Sequence, residues 1–575
     1  MDEDLKRYQF IRTLTIGIFL IIIIFSFKLQ IFEGKKYYRL SEENRIKKKY
    51  ITAPRGNIYD RHGKEIANTR PAFYVSIIPA LTNEDCIKRI AQILGFDPEF
   101  IKMKIMKIEK NPFVSVKIGR DISFEQVSII EEEIEELSGV EVGVEPVRNY
   151  PYNDLFCHVL GYVSEITDIE LKQLKSYKLG DYIGRSGLEQ EYEKELAGTD
   201  GIDYIEVDVK GRELGKVSEY RPVPPINGKD LYTSLDLELT DSTANFLKNY
   251  PRAAAVALNP QNGEIYVLYS KPGFNPNRFV RGLTEKEWEE LNNPQDAPLY
   301  NRATMSCYPI GSTIKPFLAL AGLDKGMITI GTTFEPCTGG IKFGNRYFGC
   351  WKIHGRLHLI DAIAHSCDVY FYQLGRYLGI DIISDILYEV GFGKPTGIDL
   401  PQEKTGLVPD RKWMEKRYGK NWTEGHIFNL SIGQGDILAT PLQLARAYTI
   451  FANKRNGLVY PHIKVGIKSD ILGISRKKEA IEVVCEALNN VVKRGTGMMA
   501  QVQGFEVCGK TGTAENPHGE DHSLFVGFAP KDEPQILVCV IVENAGHGGS
   551  VAAPVVGRII KTFMALNKGM TGAEN

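Results

Sequence analysis

The feature that most constrains this chain is an apolar run near its start. Phe10 to Phe32 is dominated by apolar side chains, and Phe19-Leu-Ile-Ile-Ile-Ile-Phe25 is unbroken. A helix needs about 20 such residues to cross a bilayer core. Arg12 and Lys28 lie near the ends, where long basic side chains reach back to the interface. A cleaved leader has a shorter apolar core and a small-x-small exit. The exit here is Ser26-Phe27-Lys28-Leu29-Gln30. Residues 1–32 therefore read as a short stub and an uncleaved anchor in the lipid bilayer. Charge does not fix its orientation: Lys6, Arg7 and Arg12 precede the run, while Lys28, Lys35, Lys36 and Arg39 follow it.

The remainder is globular in character. The chain has 575 residues, 43% hydrophobic and 25% charged, enough for about three or four domains with large cores. A net charge of -2 gives no footprint for nucleic acid. Nine cysteines, an odd number, do not suggest a complete disulfide framework.

Residues 33–228 read as an elongated α+β pedestal. Turns flank a short strand in Ala53-Pro-Arg-Gly-Asn-Ile-Tyr-Asp-Arg-His-Gly63. A strand is expected at Phe73–Ile78, a helix at Phe124–Leu137, and a turn opening an acidic helix at Gly184–Glu193. The Pro/Gly-rich stretch Pro222–Gly228 reads as a linker. Residues 229–575 then form the last domain. Ala253–Pro260 and Gly263–Tyr269 give a hairpin signal. Helical segments surround Lys315–Leu323 and Leu359–Leu378. Ser523–Ala529 and Gln535–Val542 read as adjacent strands before a helix at Gly557–Leu566. Strands at both ends with helices between predict one sheet, covered by helices, whose halves are far apart in sequence.

The chemistry centres on Tyr308-Pro-Ile-Gly-Ser-Thr-Ile-Lys-Pro316. Ser312 and Lys315 are three apart and share a helix face. A serine hydroxyl needs an adjacent base, and a lysine serves only if burial or a nearby cation lowers its pKa. Three further signals follow: Ser366-Cys367-Asp368 after a helical run, the Gly-rich loop Ser431-Ile-Gly-Gln-Gly435, and Lys510-Thr511-Gly512-Thr513 on an edge strand. The order Ser-x-x-Lys, Ser-Asp-Asn, Lys-Thr-Gly is that of serine β-lactamases and penicillin-binding proteins.

With Arg55-Gly-Asn-Ile-Tyr-Asp-Arg61 and Gly184-Arg-Ser-Gly-Leu-Glu-Gln190, these stretches resemble the class B penicillin-binding proteins, in particular the elongation-type transpeptidases called penicillin-binding protein 2. Nearly the whole chain is covered. Asp368 stands where the general pattern has Asn and marks that subtype. The resemblance implies a mixed α+β fold with a transmembrane helix, a pedestal and a penicillin-binding domain, its antiparallel sheet covered by helices. It also implies a single-pass protein of the cytoplasmic membrane with its catalytic domain outside. Ser312 would attack the D-Ala-D-Ala bond of a peptidoglycan stem peptide in cell elongation, and Lys315 would take its proton. Ser366 would relay a proton to the leaving amine, and the Ser312 and Thr513 amides would form the oxyanion hole. Lys510, Thr511 and Thr513 would hold the terminal carboxylate. β-Lactams would acylate Ser312, water in place of the acceptor amine would give carboxypeptidase side activity, and a membrane glycosyltransferase would be the partner.

Between the first two motifs lie Cys337, Cys350, His354 and Cys367, with 12, 3 and 12 residues between successive members. Cys3His is a tetrahedral zinc set. Some proteins of the resembled type hold zinc there, with Asp at two of the positions. Free thiols or a disulfide are the competing reading. Cys86, Cys157, Cys307, Cys485, Cys508 and Cys539 read as small core residues. His522 and His547 read as loop histidines. A β-lactamase would need a deacylating carboxylate; Glu486-Ala-Leu-Asn489 is one residue short of the usual pattern. A degenerate sensor would have a broken first or last motif, and both are intact.

Overall fold

The computed structural model describes residues 1–106, 112–208, 213–217, 220–419, 422–453, 457–468, 471–516 and 519–571. The chain forms two compact units that interleave along the sequence. The first comprises 1–54, 71–146 and 198–228, and the second 55–70, 147–197 and 229–575.

The first unit begins with α1 (Asp2–Phe27), none of whose 26 residues is buried. At 1.5 Å per residue it is about 39 Å long, enough to cross a bilayer core. Every side chain from Phe19 to Phe25 is more than half exposed, so no protein surface competes for this apolar helix. It fits a single-pass membrane anchor. Strand Ile46–Ile51 pairs antiparallel with Gly201–Val207, which pairs with Glu213–Lys216. Lys47, Lys48 and Lys49 are on the outer strand, where lysines discourage a further strand from pairing. The core gathers Val75, Ile77, Ile90, Ile101, Val127 and Ile130. The expected helix at Phe124 starts with a Ser123–Gln126 capping box but stops at Glu132 rather than Leu137. Glu131, Glu132, Glu133, Glu135 and Glu136 would crowd like charges three and four apart, which opposes continuation. The stretch read as a linker is tied down: Val223 with Ile202, and Ile226 with Thr199, exchange backbone hydrogen bonds of 2.8 Å.

The second unit is built on a five-stranded sheet. Its strands are β1 (Ala253–Leu258), β2 (Ile265–Lys271), β3 (Cys508–Ala514), β4 (His522–Ala529) and β5 (Ile536–Val542), in the order β2-β1-β5-β4-β3. All neighbours are antiparallel. The two halves of the chain meet where β1 pairs with β5, Ala255 opposite Val540. Every residue of β1 and β5 is buried, because helices cover both faces. On one face, Val538 and Val540 pack with Leu239 and Leu247 of α2 (Leu237–Leu247). Ile559 and Phe563 of a helix at Ala552–Thr571 join the same cluster. A wholly buried helix, Pro441–Ala452, packs against β1 and β5. β3 is the edge strand, as expected from its sequence. The helix expected over Leu359–Leu378 is broken in two, α4 (Leu359–Ala364) and α5 (Asp368–Glu389), and α5 itself is interrupted at Gly379, whose φ is 75°. Between them Ser366 takes a left-handed φ of 53°.

Candidate active site

The segment before Ser312 is pinned on two sides. Tyr308 and Ala439 exchange backbone hydrogen bonds of 2.9 and 3.0 Å. Gly311 has φ 53° and donates its N–H to the Gly433 carbonyl at 2.9 Å. A Cβ on Gly311 would come within 2.6 Å of the Thr513 carbonyl, and one on Gly433 within 2.0 Å of the Gly311 carbonyl. Only glycines permit this approach of the Gly-rich loop, the Ser312 turn and β3. Gly311–Ile314 is a tight helical turn that runs into α3 (Lys315–Asp324), with Pro316 in its first turn, where a missing N–H costs nothing. Ser312 is half-buried, and its hydroxyl makes no hydrogen bond among the described residues. Thr313 turns inward, its hydroxyl donating to the Ile310 carbonyl at 2.6 Å.

One turn on, Lys315 is fully buried. Its Nζ lies 2.7 Å from Asp368 Oδ1, 2.8 Å from the Ser366 carbonyl and 3.2 Å from Ser366 Oγ. From the other side, Lys510 Nζ reaches Ser366 Oγ at 2.9 Å and the Thr511 carbonyl at 3.1 Å. Lys510 is also fully buried. The Ser366 hydroxyl thus bridges two amines, and the helix break before Asp368 aims it there. Burial and then the Lys315 charge hold the Lys510 amine well below the usual lysine range, only partly offset by Asp368. In this arrangement Lys315 has the carboxylate, and Lys510 is the amine driven toward its neutral form.

β3 lines the same space. Thr513 accepts a hydrogen bond from Gln434 Nε2 at 2.8 Å. Its carbonyl therefore points off the sheet edge. In an antiparallel strand a residue's N–H and C=O point to one side, so the Thr513 amide faces outward too. Thr511 Oγ1 lies 2.7 Å from Thr496 Oγ1. Gly512 sits against the Ile310 carbonyl, where a Cβ would come within 3.0 Å.

Cys337, Cys350, His354 and Cys367 are also brought together, their ligand atoms all within 4.8 Å of one another. His354 Nδ1 is 3.7 Å from Cys337 Sγ and 3.5 Å from Cys350 Sγ. Tetrahedral zinc with ordinary Zn–S and Zn–N bonds sets such pairs about 3.6 Å apart, so the donors fit that ion in kind and spacing. All nine cysteines are free thiols. A hydrogen bond from Cys367 pulls the Cys350 thiol down, toward the thiolate. Cys350 Sγ also accepts from the Asp368 amide at 3.3 Å, which ties this group to the Ser366 turn.

Some residues escaped the sequence reading. Gln434 lies within a loop singled out only for its glycines. Glu543 closes the wholly apolar β5, and that charge after seven buried residues was the available signal. It accepts from Tyr308 Oη at 2.7 Å, Arg302 Nε at 3.0 Å and Arg252 Nε at 2.9 Å, fixing the entry to the Ser312 turn. His522 is not in a loop; it begins β4 and its Nδ1 accepts from the Asn544 amide. His547 is an exposed loop residue. Glu486 is occupied by Lys531 and Asn490.

The penicillin-binding protein transpeptidase domain matches residues 253–561, and the penicillin-binding protein dimerisation domain matches 50–233. The peptidoglycan D,D-transpeptidase MrdA of Acinetobacter baumannii is 36% identical over 91% of this chain and 82% of its own length. MrdA of Escherichia coli is 32% identical over 95% and 91%. The penicillin-binding protein PBP2 of Helicobacter pylori, solved in complex with MreC, superposes with a TM-score of 0.79 at 30% identity, covering 91% of this chain and 99% of that one. PBP2 of Pseudomonas aeruginosa gives 0.69 at 32% identity, covering 90% and 96%. A chain with this site, these two domains and relatives matched along nearly their whole length belongs to the penicillin-binding protein family.

Proposed function

We propose that this chain is a membrane-anchored peptidoglycan D,D-transpeptidase of cell elongation, with Ser312 as nucleophile and the D-Ala-D-Ala end of a stem peptide as donor. One observation carries the reading: two buried amines, Lys315 and Lys510, face a single carboxylate, Asp368. The cluster lacks one negative charge, and the donor's terminal carboxylate supplies it. Bound to Lys510, Thr511 and Thr513 through charge-assisted hydrogen bonds, it favours the ammonium form of Lys510. The proton comes from Lys315 through the bridging Ser366 hydroxyl. Lys315 is then a neutral base one helical turn from Ser312.

Ser312 Oγ attacks the carbonyl carbon and gives its proton to Lys315. The oxyanion is met by the Ser312 and Thr513 amides; one such donor is worth about a hundredfold or more in rate. The C–N bond breaks as Ser366 passes the Lys315 proton to the leaving D-alanine amine. An amine of a second stem then attacks the ester, its proton returns along the same path, and Ser312 is released with a new cross-link. Water in place of that amine gives carboxypeptidase activity. A β-lactam acylates the same oxygen.

In this reading the Cys337, Cys350, His354 and Cys367 group holds zinc, which supplies a structural cross-link between the Gly340–Gly349 hairpin and the Ser366 turn. The catalytic unit lies on the extracytoplasmic side, where the substrate is. A membrane glycosyltransferase provides the glycan strands, and a counterpart of MreC is a further partner. Intact mass spectrometry after penicillin treatment tests the core of the proposal: the native chain gains one penicilloyl adduct and Ser312→Ala gains none. A labelled Ser312→Ala protein would sink it. Native mass or metal analysis is expected to find about one zinc per chain. No zinc, with Cys337 in a disulfide, would reject that part.

A further inference from the structure

In the proposed mechanism the oxyanion hole takes its two amides from elements far apart in the chain, Ser312 on the tight turn and Thr513 on β3. Such donors act only when each lies about 2.7–3.1 Å from the position the oxyanion will occupy. Glycines let the turn and the strand approach, but among the described residues no hydrogen bond joins Gly311–Ile314 directly to β3. Their spacing is set by whatever bonds to both.

The loop Ser431–Gly435 bonds to both. On the turn side, the Gly433 carbonyl accepts the Gly311 N–H at 2.9 Å, one residue before Ser312. On the strand side, the next residue, Gln434, reaches β3 with its side-chain amide. Its Nε2 donates to the Thr513 carbonyl at 2.8 Å, and its Oε1 accepts the Glu515 N–H at 3.2 Å. Those are successive groups that a further strand would pair with, so the Gln434 amide stands in for a short piece of ladder on the outer edge of β3, at the strand's end. The Thr513 carbonyl and amide project to the same side of the strand, so fixing one aims the other.

The loop is itself firmly seated. The Gln434 N–H donates to the Asn429 carbonyl at 3.0 Å, at the end of a helix over Glu424–Ser431. The position also calls for a carboxamide. Thr513 offers an acceptor and Glu515 a donor, and a side-chain amide answers both at once. Asparagine would be one methylene short, and glutamate would set a carboxylate oxygen against the Thr513 carbonyl. Gln434 makes no hydrogen bond to Lys315 or Lys510 among the described residues, so its role is separable from the supply of a base.

We propose that Gln434 is a positioning residue of the oxyanion hole: its amide aims the Thr513 N–H, and its loop is the spacer that sets that donor against the Ser312 N–H. The inference rests on the transpeptidase reading, in which those two amides meet the oxyanion.

Stopped-flow acylation of the full chain in detergent tests this, with a D-Ala-D-lactate depsipeptide ester and its thionoester as substrates. Sulfur is the weaker hydrogen-bond acceptor, so a well-formed hole favours the oxygen ester, and a disturbed one loses that preference. Gln434→Met keeps the length of the side chain and removes both bonds. It should slow acylation by the ester about tenfold to a hundredfold, short of the loss of a whole donor. The ester-to-thionoester rate ratio should fall about tenfold, with the acid limb of the pH profile unmoved. An unchanged ratio would overturn the proposal even if acylation slowed, because a merely structural fault slows both substrates alike. A displaced acid limb would also overturn it, by routing the effect through the lysine pair. Should Gln434→Met not fold, Gln434→Glu, of the same size, decides by the same ratio. Penicillin acylation of Ser312 in the native chain is read in parallel. Its absence fails the transpeptidase reading, whereas its presence with a native ratio in the variant fails this inference alone.

Discussion

The second unit buries two ionic clusters, and they behave in opposite ways. In one, Arg55, Arg148, Glu189 and Glu193 are 10, 2, 0 and 12% exposed, two cations against two anions. Three ion pairs of 2.6 Å join them, and Tyr150 Oη adds a bond to Glu189 at 3.2 Å. Burial alone would push the Glu189 carboxyl up, but Arg148 and Arg55 outweigh it and hold it below its usual range. Burial would likewise lower Arg55, and Glu189 and Glu193 raise it instead. In the other cluster Lys315 and Lys510 are fully buried and Asp368 is 15% exposed, but the count is two against one, and the Lys510 amine is driven toward its neutral form. Burial by itself therefore does not make a reactive group. The sum of buried charge does: a balanced cluster locks its protons, and an unbalanced one has a base to offer and room for an anion.

That contrast can be broken by removing one member from each side. Lys315→Met keeps the volume and removes the base, so penicillin acylation should fall about a thousandfold, or about 4 kcal/mol in barrier. The fold should survive, because one of two like charges has gone. Stopped-flow acylation with thermal unfolding reads both, and an unfolded or fully active variant would make the two clusters alike. Glu189→Gln leaves two guanidiniums buried against one carboxylate and should cost about 3–5 kcal/mol of stability. The surviving folded molecules should acylate within about twofold of the native rate, as independent sites do. Denaturant titration in detergent measures the loss. A stable Glu189→Gln protein that no longer acylates would invert the comparison.

The same contrast marks what sequence could tell. The anchor, the hairpin of β1 and β2, the edge placement of Lys510 and the single sheet were all legible, because apolar runs and turn residues encode them locally. The order of the three motifs pointed to Ser312, Lys315 and Lys510 together. The break at Ser366 was not legible: apolar residues run through Leu359–Leu378 with no proline at the break, and the left-handed turn is held by Lys315 and Lys510 from elsewhere in the chain. Nor was the fit of Gly311 between Gly433 and Thr513, since each glycine alone signals only a turn. Arg148 drew no notice, for its partners are 92 residues away at Gly56 and 41 at Glu189. Charge balance is a property of assembled neighbours, and local pattern cannot count it.

The smallest effect is the most discriminating, because it moves a pH profile rather than a rate. Acylation needs a neutral amine in the Lys315–Lys510 pair, so its acid limb reports protonation of that pair as a unit. Asp368 favours the charged form of Lys510 and thereby raises that limb. Asp368→Asn should shift the limb to lower pH, with the plateau reduced no more than about tenfold, the scale of one charged hydrogen bond. Stability carries the matching signs. Lys510 is depressed in the fold, so the unfolded chain binds a proton that the fold lacks, and stability rises with pH up to the ordinary lysine value of about 10.4. Glu189 is also depressed, but as an acid it contributes stability above about pH 4.3 that is lost as pH falls. Lys510→Met should flatten the alkaline rise alone, and Glu189→Gln the acid fall alone. If Asp368→Asn moved the acid limb upward or left it still, the carboxylate would not govern the pair. The second cluster would then have to be read, like the first, as a lock.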